Sequence, residues 1–113
     1  MSVYMPTTIE EAVAILAENP AARLLTGGTD TMVEVNFNRF KPETVIGLRR
    51  VASLRNFTIT AQRIDIGAGV PYARMETGPL AEALPALAAA ARTVGSPQIR
   101  TSGTLGGNLG TCS

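Results

Sequence analysis

Three features of the sequence predict an α+β fold. Helix and strand patterns alternate over residues 1–53, two short alternating segments follow Asn56, and an alanine-rich helical stretch runs from Leu80 to Val94. The first feature is the order of a small α/β subdomain, assigned to residues 1–53. The other two open a second, mostly antiparallel α+β subdomain over residues 54–113, with the boundary near Ala52 or Ser53.

After an extended lead-in at Val3 to Met5, Pro6 and the capping box Thr8-Ile9-Glu10-Glu11 announce a helix. Ile9, Ala12, Val13, Leu16 and Ala17 recur at helical spacing and predict one apolar face, and Asn19-Pro20 stops the helix. Arg23 to Thr26 predicts a short buried strand. It gives way to Gly27, Gly28, Thr29 and Asp30, a tight turn whose glycines allow positive φ and close approach of a ligand to the main chain. Thr29 or Asp30 can cap a helix carrying Val33, Phe37 and Phe40 on one face, ended by Pro42. Thr44 to Leu48 is a second β-branched strand, able to lie parallel to the first. The turn then falls beyond the carboxyl end of a strand, where open α/β sheets hold ligands. A turn of this composition suits phosphate oxygens, and it is also an ordinary loop.

In the second part, Phe57 to Thr60 and Arg63 to Gly67 alternate around Ala61-Gln62 and predict an antiparallel hairpin. Gly67-Ala68-Gly69 lacks the third glycine of a dinucleotide fingerprint and runs into Pro71, so it reads as a strand end and turn. Leu80, Leu84, Leu87, Ala88, Ala91 and Val94 form a core stripe. Pro85 kinks that helix or restarts it as a first helical residue. The segment from Gly95 to Ser113 holds five glycines and few apolar residues. By composition it is a linker; by chemistry it is a second glycine loop whose main-chain N–H groups and small hydroxyls can wrap an anion.

Composition narrows the function. Ten basic residues against nine acidic ones give a net charge of +1, too weak a field to gather nucleic acid or an anionic membrane. Arg49, Arg50 and Arg55 are the one basic cluster and, without interleaved aromatics, read as a solvated face. With no histidine, the chain contains no His-ligated metal and no Ser-His or Cys-His nucleophile; neither a catalytic residue nor a metal ligand is assigned. The single cysteine, Cys112, excludes an internal disulfide and reads as a small residue near the second loop. No apolar run is long enough to span a bilayer and no signal-peptide pattern opens the chain, so a cytoplasmic protein is expected.

Leu-Thr-Gly-Gly-Thr-Asp at Leu25–Asp30, Val-Gly-Ser-Pro-Gln-Ile-Arg at Val94–Arg100 and Gly-Thr-Leu-Gly-Gly-Asn-Leu at Gly103–Leu109 occur in that order, with a hairpin and helical region between. Together they resemble the FAD-binding (medium) subunit of molybdenum hydroxylases, as in carbon monoxide dehydrogenase and xanthine dehydrogenase-type enzymes. The resemblance covers essentially the whole chain. It implies a flavin domain of the vanillyl alcohol oxidase type, with FAD between the two subdomains. Thr26, Gly27, Gly28, Thr29 and Asp30 would hold the FAD diphosphate. Thr104, Gly107, Asn108, Thr111 and Ser113 would close on it from the second subdomain. It further implies partner subunits, a molybdopterin-binding large one and a small one with 2Fe-2S clusters, from which electrons reach FAD and then an acceptor. Members of that family run on past the second motif, so this chain, stopping at Ser113, is expected to be an N-terminal portion, inactive alone. Two other readings stay open: a free-standing flavin reductase or oxidase, and a non-catalytic assembly piece.

Overall fold

The computed structural model describes residues 2–26 and 43–111. The predicted glycine turn at Gly27–Asp30, the helix bearing Val33, Phe37 and Phe40, and the terminal Cys112 and Ser113 lie outside the described residues.

Strand β1 (Ser2–Tyr4) leads into helix α1 (Ile9–Glu18), then β2 (Arg23–Leu25) and β3 (Thr44–Gly47). These strands form one sheet in the order β1-β3-β2, with both pairings parallel. β3 is central because its Val45 and Ile46 are buried, Ile46 completely. The parallel pairing of β2 and β3 follows the sequence-based expectation. The lead-in is more than extended chain: Val3 sits opposite Val45 as a third strand.

Thr8 caps α1, its hydroxyl accepting the Glu11 N–H at 3.1 Å. The Glu11 carboxylate reaches back one residue further than a capping box requires and accepts the Thr7 N–H at 3.1 Å. Asn19 ends the helix as its C-cap. The predicted apolar face needs correction. Of Ile9, Ala12, Val13, Leu16 and Ala17, Ala12 is buried, Leu16 is half-buried and the other three are exposed. The face turned inward runs through Ala12, Ile15, Leu16 and Asn19, the same helical spacing rotated about the axis. β2 is likewise not buried: it is bonded to β3 on one side, and Leu24 is 47% exposed.

A 3₁₀ turn (Ala52–Arg55) carries the chain to the antiparallel hairpin of β4 (Phe57–Ile59) and β5 (Ile64–Ile66). Thr60 and Arg63 close its turn through a Thr60 N–H to Arg63 carbonyl bond of 2.9 Å. Five short helices follow: α2 (Tyr72–Met75), α3 (Gly78–Ala83), α4 (Pro85–Arg92), α5 (Pro97–Ser102) and α6 (Leu105–Thr111). Pro85 restarts the alanine-rich stretch as the first residue of α4, where its missing N–H costs nothing. Val70, Tyr72, Met75, Leu80 and Ala91 form the core here, with Phe57, Ile64, Ile66, Leu87, Val94 and Leu105 packed against it.

The segment beyond Gly95 is therefore not a linker: α5 and α6 are helices, and Leu105 packs on the core. Ser96 caps α5 by accepting the Ile99 N–H at 3.3 Å, and Pro97 follows at the first helical position. The Arg100 guanidinium pairs with the half-buried Glu76 carboxylate and donates to the carbonyls of Arg92 at 3.0 Å and Val94 at 3.3 Å. Hydrogen bonding thus supplies what apolar content does not. No helix among the described residues is long and apolar enough to cross a membrane.

Candidate functional site

Parallel strands deliver their carboxyl ends to one edge of the sheet, and the chain spends that edge on a cleft. Thr26 is the first residue past β2, and Arg49 lies two residues past β3; both line it. Leu48 ties the two strand ends together by donating its N–H to the Leu25 carbonyl at 2.7 Å. Arg49 and Arg50 then occupy the middle of a turn closed by the Val51 N–H and the Leu48 carbonyl at 3.1 Å, with Val51 fully buried beneath it.

The opposite wall comes from the second part of the chain. Pro71 and Thr104 form an antiparallel bridge, extended by Tyr72 N–H to the Gly103 carbonyl and Leu105 N–H to the Val70 carbonyl, each 3.1 Å. Thr104, Thr101, Ser102 and Pro71 line the cleft from this side, and Arg55 and Gly69 complete it. The cleft holds about 310 Å³ including its open mouth. Gly69 is needed where it stands: a Cβ there would lie 3.0 Å from the Leu54 carbonyl oxygen. The Gly69 N–H donates to that same oxygen at 2.8 Å, which brings the hairpin's exit against the 3₁₀ turn.

Thr104 is the central polar residue. It is 5% exposed, and its hydroxyl oxygen accepts the Gly107 N–H at 3.1 Å, capping α6. With that lone pair taken, the hydroxyl proton is left to donate. The other early amides of α6 are also engaged: Leu105 with Val70, Gly106 with the Ala68 carbonyl at 2.9 Å, and Asn108 with the Thr104 carbonyl at 3.0 Å. The expected wrapping of an anion by main-chain N–H groups of this second motif is therefore revised. Its glycines serve packing, since a Cβ on Gly106 would stand 2.6 Å from the Ala68 Cβ and one on Gly107 would stand 2.9 Å from the Thr104 hydroxyl.

The structure accordingly brings Thr26 and Thr104, far apart in sequence, to one cleft. Gly107 and Asn108 sit in the first turn of α6 behind Thr104 and do not line the cleft, and Thr111 is the last residue of that helix. Gly27, Gly28, Thr29, Asp30 and Ser113 fall outside the described residues. Arg49, Arg50 and Arg55 are exposed, as expected of a solvated face; that Arg49 and Arg55 also line the cleft is what sequence reasoning missed. Their position just past the second parallel strand was the available signal.

Among the described residues the lining comprises two arginines and the hydroxyl residues Thr26, Thr101, Ser102 and Thr104, with no carboxylate residue. Such a donor set fits a doubly charged diphosphate. Charge-assisted hydrogen bonds contribute about 1.5–3 kcal/mol each, so a few suffice without a lysine.

The family model described as FAD binding domain in molybdopterin dehydrogenase matches residues 1–113. The nicotinate dehydrogenase FAD-subunit of Eubacterium barkeri is 37% identical over 113 residues, covering 97% of this chain and 38% of that protein. The xanthine dehydrogenase FAD-binding subunit of Escherichia coli O157:H7 is 32% identical over 110 residues, covering 96% of this chain and 38% of that protein. Among solved structures, carbon monoxide dehydrogenase from Hydrogenophaga pseudoflava superimposes with a TM-score of 0.91 at 32% identity, covering 96% of this chain and 39% of that one. The chain thus spans about two fifths of the length of the relatives it matches.

Proposed function

This chain belongs to the family of FAD-binding domains of molybdopterin dehydrogenases, and on that premise we propose that it holds the FAD diphosphate in the cleft between Thr26 and Thr104. The observation that carries the reading is the meeting of those two residues, with Arg49 and Arg55, at the carboxyl edge of the parallel sheet. Thr26, Gly27, Gly28, Thr29 and Asp30 form one side of the clamp, and Thr104, Gly107, Asn108, Thr111 and Ser113 the other. On the second side the Thr104 hydroxyl donates to a phosphate oxygen while its oxygen keeps the Gly107 N–H. Gly107 allows that close approach, and Asn108 extends the helix that fixes Thr104. Arg49 and Arg55 neutralise the diphosphate charge from the strand-end side.

Bound FAD supplies electron acceptance and release; the chain supplies position and charge. The larger protein to which this domain contributes is an FAD subunit that relays electrons from iron–sulfur clusters of a molybdenum hydroxylase to an acceptor. Its partners are a molybdopterin-binding large subunit and a 2Fe-2S small subunit, in the cytoplasm. The two-subdomain division at residues 1–53 and 54–113 belongs to the same reading, the cleft lying where the parallel sheet meets the hairpin and helices. Support comes from relatives named as FAD subunits of nicotinate and xanthine dehydrogenases.

The test is the flavin spectrum and FAD-to-protein ratio of the purified full-length protein. A yellow product is expected, with Gly28→Val abolishing cofactor retention and Thr104→Val lowering it. A colourless wild-type product that ignores added FAD overturns the proposal. Copurification with subunits bearing molybdopterin and clusters tests the relay; a flavoprotein that reduces an acceptor alone, without such subunits, refutes that part.

A further inference from the structure

Arg49 and Arg55 border two openings at once. They line the cleft beside Thr26 and Thr104, and with Arg50 and Arg74 they also border a wide groove completed by Thr7 and Asn56. Four guanidinium groups therefore surround one groove in a chain whose net charge is +1. Among the described residues no carboxylate lines it, and the ion pairs are made elsewhere, by Arg63 with Asp65 and by Arg100 with Glu76.

One of these guanidinium groups is held in place, and two more arginines stand on an ordered turn. Arg74 donates from Nη1 to the Arg55 carbonyl at 2.6 Å, and its guanidinium lies 5.0 Å from the centroid of the Phe57 ring. Arg49 and Arg50 sit on the turn anchored by buried Val51. Like charges gathered on fixed elements repel one another, and an anion removes that penalty. The FAD diphosphate carries two negative charges and meets Arg49 and Arg55 in the cleft, so Arg50 and Arg74 are left over.

The groove's form decides the class of anion. It is wide open, with about 1030 Å³ counted out to its broad mouth, and among the described residues Ala52, Thr7 and Asn56 offer no aromatic face for a base to stack on. The face of Phe57 is already covered by Arg74. A nucleotide base or single-stranded nucleic acid finds no stacking partner among these lining residues. Planar guanidinium forks match side-chain carboxylates in pairs, and an open groove admits a polypeptide segment.

We propose that this arginine-lined groove docks an acidic segment of a partner polypeptide beside the cofactor cleft. The inference rests on the reading of the chain as part of one subunit in a multisubunit enzyme, and it identifies the surface that receives the neighbour.

The experiment reconstitutes the full-length protein with its molybdopterin- and cluster-bearing subunits. It compares wild type, Arg50→Glu and the double variant Arg50→Glu/Arg74→Glu. Association is measured by biolayer interferometry at about 50 and about 300 mM NaCl, a range over which the screening length shortens by roughly half. The FAD-to-protein ratio is read on the same samples. Arg50→Glu alone is expected to weaken association about tenfold at low salt, and the double variant more, with the FAD ratio unchanged. A polyglutamate peptide should compete with the partner for wild type. Association that is equally tight in all three proteins and indifferent to salt and polyglutamate sinks the docking proposal. So does a complete absence of association in a yellow wild-type protein. Samples that associate and respond to charge reversal but never hold flavin support the groove and overturn the cofactor reading instead.

Discussion

The parallel sheet and the helical part that follows it bury their side chains by different means. In the helical part Val70, Met75, Leu80 and Ala91 are all within 1% of complete burial and pack on one another, with the hairpin's Phe57, Ile64 and Ile66 laid against them. Among the described residues of the sheet part, burial is concentrated in the central strand, while Val3, Val13 and Leu24 are exposed at 57%, 59% and 47%. The difference shows how the cleft is made. One wall stands on a closed core of its own. The other, in its described residues, is a set of strand ends tied by hydrogen bonding to β3.

The largest expected effect is on the closed core. Met75→Ala should destabilise by about 2–5 kcal/mol in urea unfolding followed by circular dichroism, because a fully buried side chain leaves a cavity. Comparable loss from Val13→Ala, on the exposed side of α1, would erase the contrast between the two parts. Next comes Arg100→Met, which removes the partner of Glu76 and the donor to two carbonyls, at a cost of about 1.5–3 kcal/mol. Combined with Glu76→Gln it should cost less than the sum of the two, a coupling readable in a double-mutant cycle.

Gly106→Ala should cost about 1–3 kcal/mol, since the new methyl meets Ala68 at 2.6 Å, and should lower FAD retention by shifting Thr104. Gly110→Ala tests the same helix with the opposite sign. Nothing lies within 4 Å of its added methyl, so thermal unfolding should show stabilisation of about 0.4–1 kcal/mol. Val13→Ala closes the series at less than about 0.5 kcal/mol. An unchanged FAD ratio in Gly110→Ala beside a reduced one in Gly106→Ala would separate the packing of α6 from its helix propensity.

Local chemistry was legible in the sequence and long-range assembly was not. Thr8 and Glu11 announced α1, Asn19-Pro20 its end, Pro85 the restart at α4, and the alternation around Ala61-Gln62 the hairpin, because each signal resides in adjacent residues. The orientation of α1 was misread because Ile9, Val13 and Ala17 keep the same spacing as the stripe that faces inward. Three residues at Ser2–Tyr4 show no period, and their partner strand begins at Thr44, so β1 was invisible as a strand. The helices after Gly95 were hidden by composition, since they are held by Ser96, by Arg100 and by Gly106 fitted against Ala68. Of the residues that line the cleft, Thr26 and Thr104 were singled out in the sequence through the two glycine motifs. Arg49 and Arg55 were not, because their meeting with Thr104 depends on the hairpin and the Pro71 bridge in between.

The amides of Leu105, Gly106 and Gly107 already have acceptors in Val70, Ala68 and Thr104. In kinetic terms, these amides are already closed off by acceptors within the chain, so on the proposed reading no hydrogen bond of the α6 backbone has to break for the cofactor to enter. Hydrogen exchange at those three amides should be slow and should stay slow when FAD leaves, whereas a wall assembled around its ligand would release them to solvent with each departure.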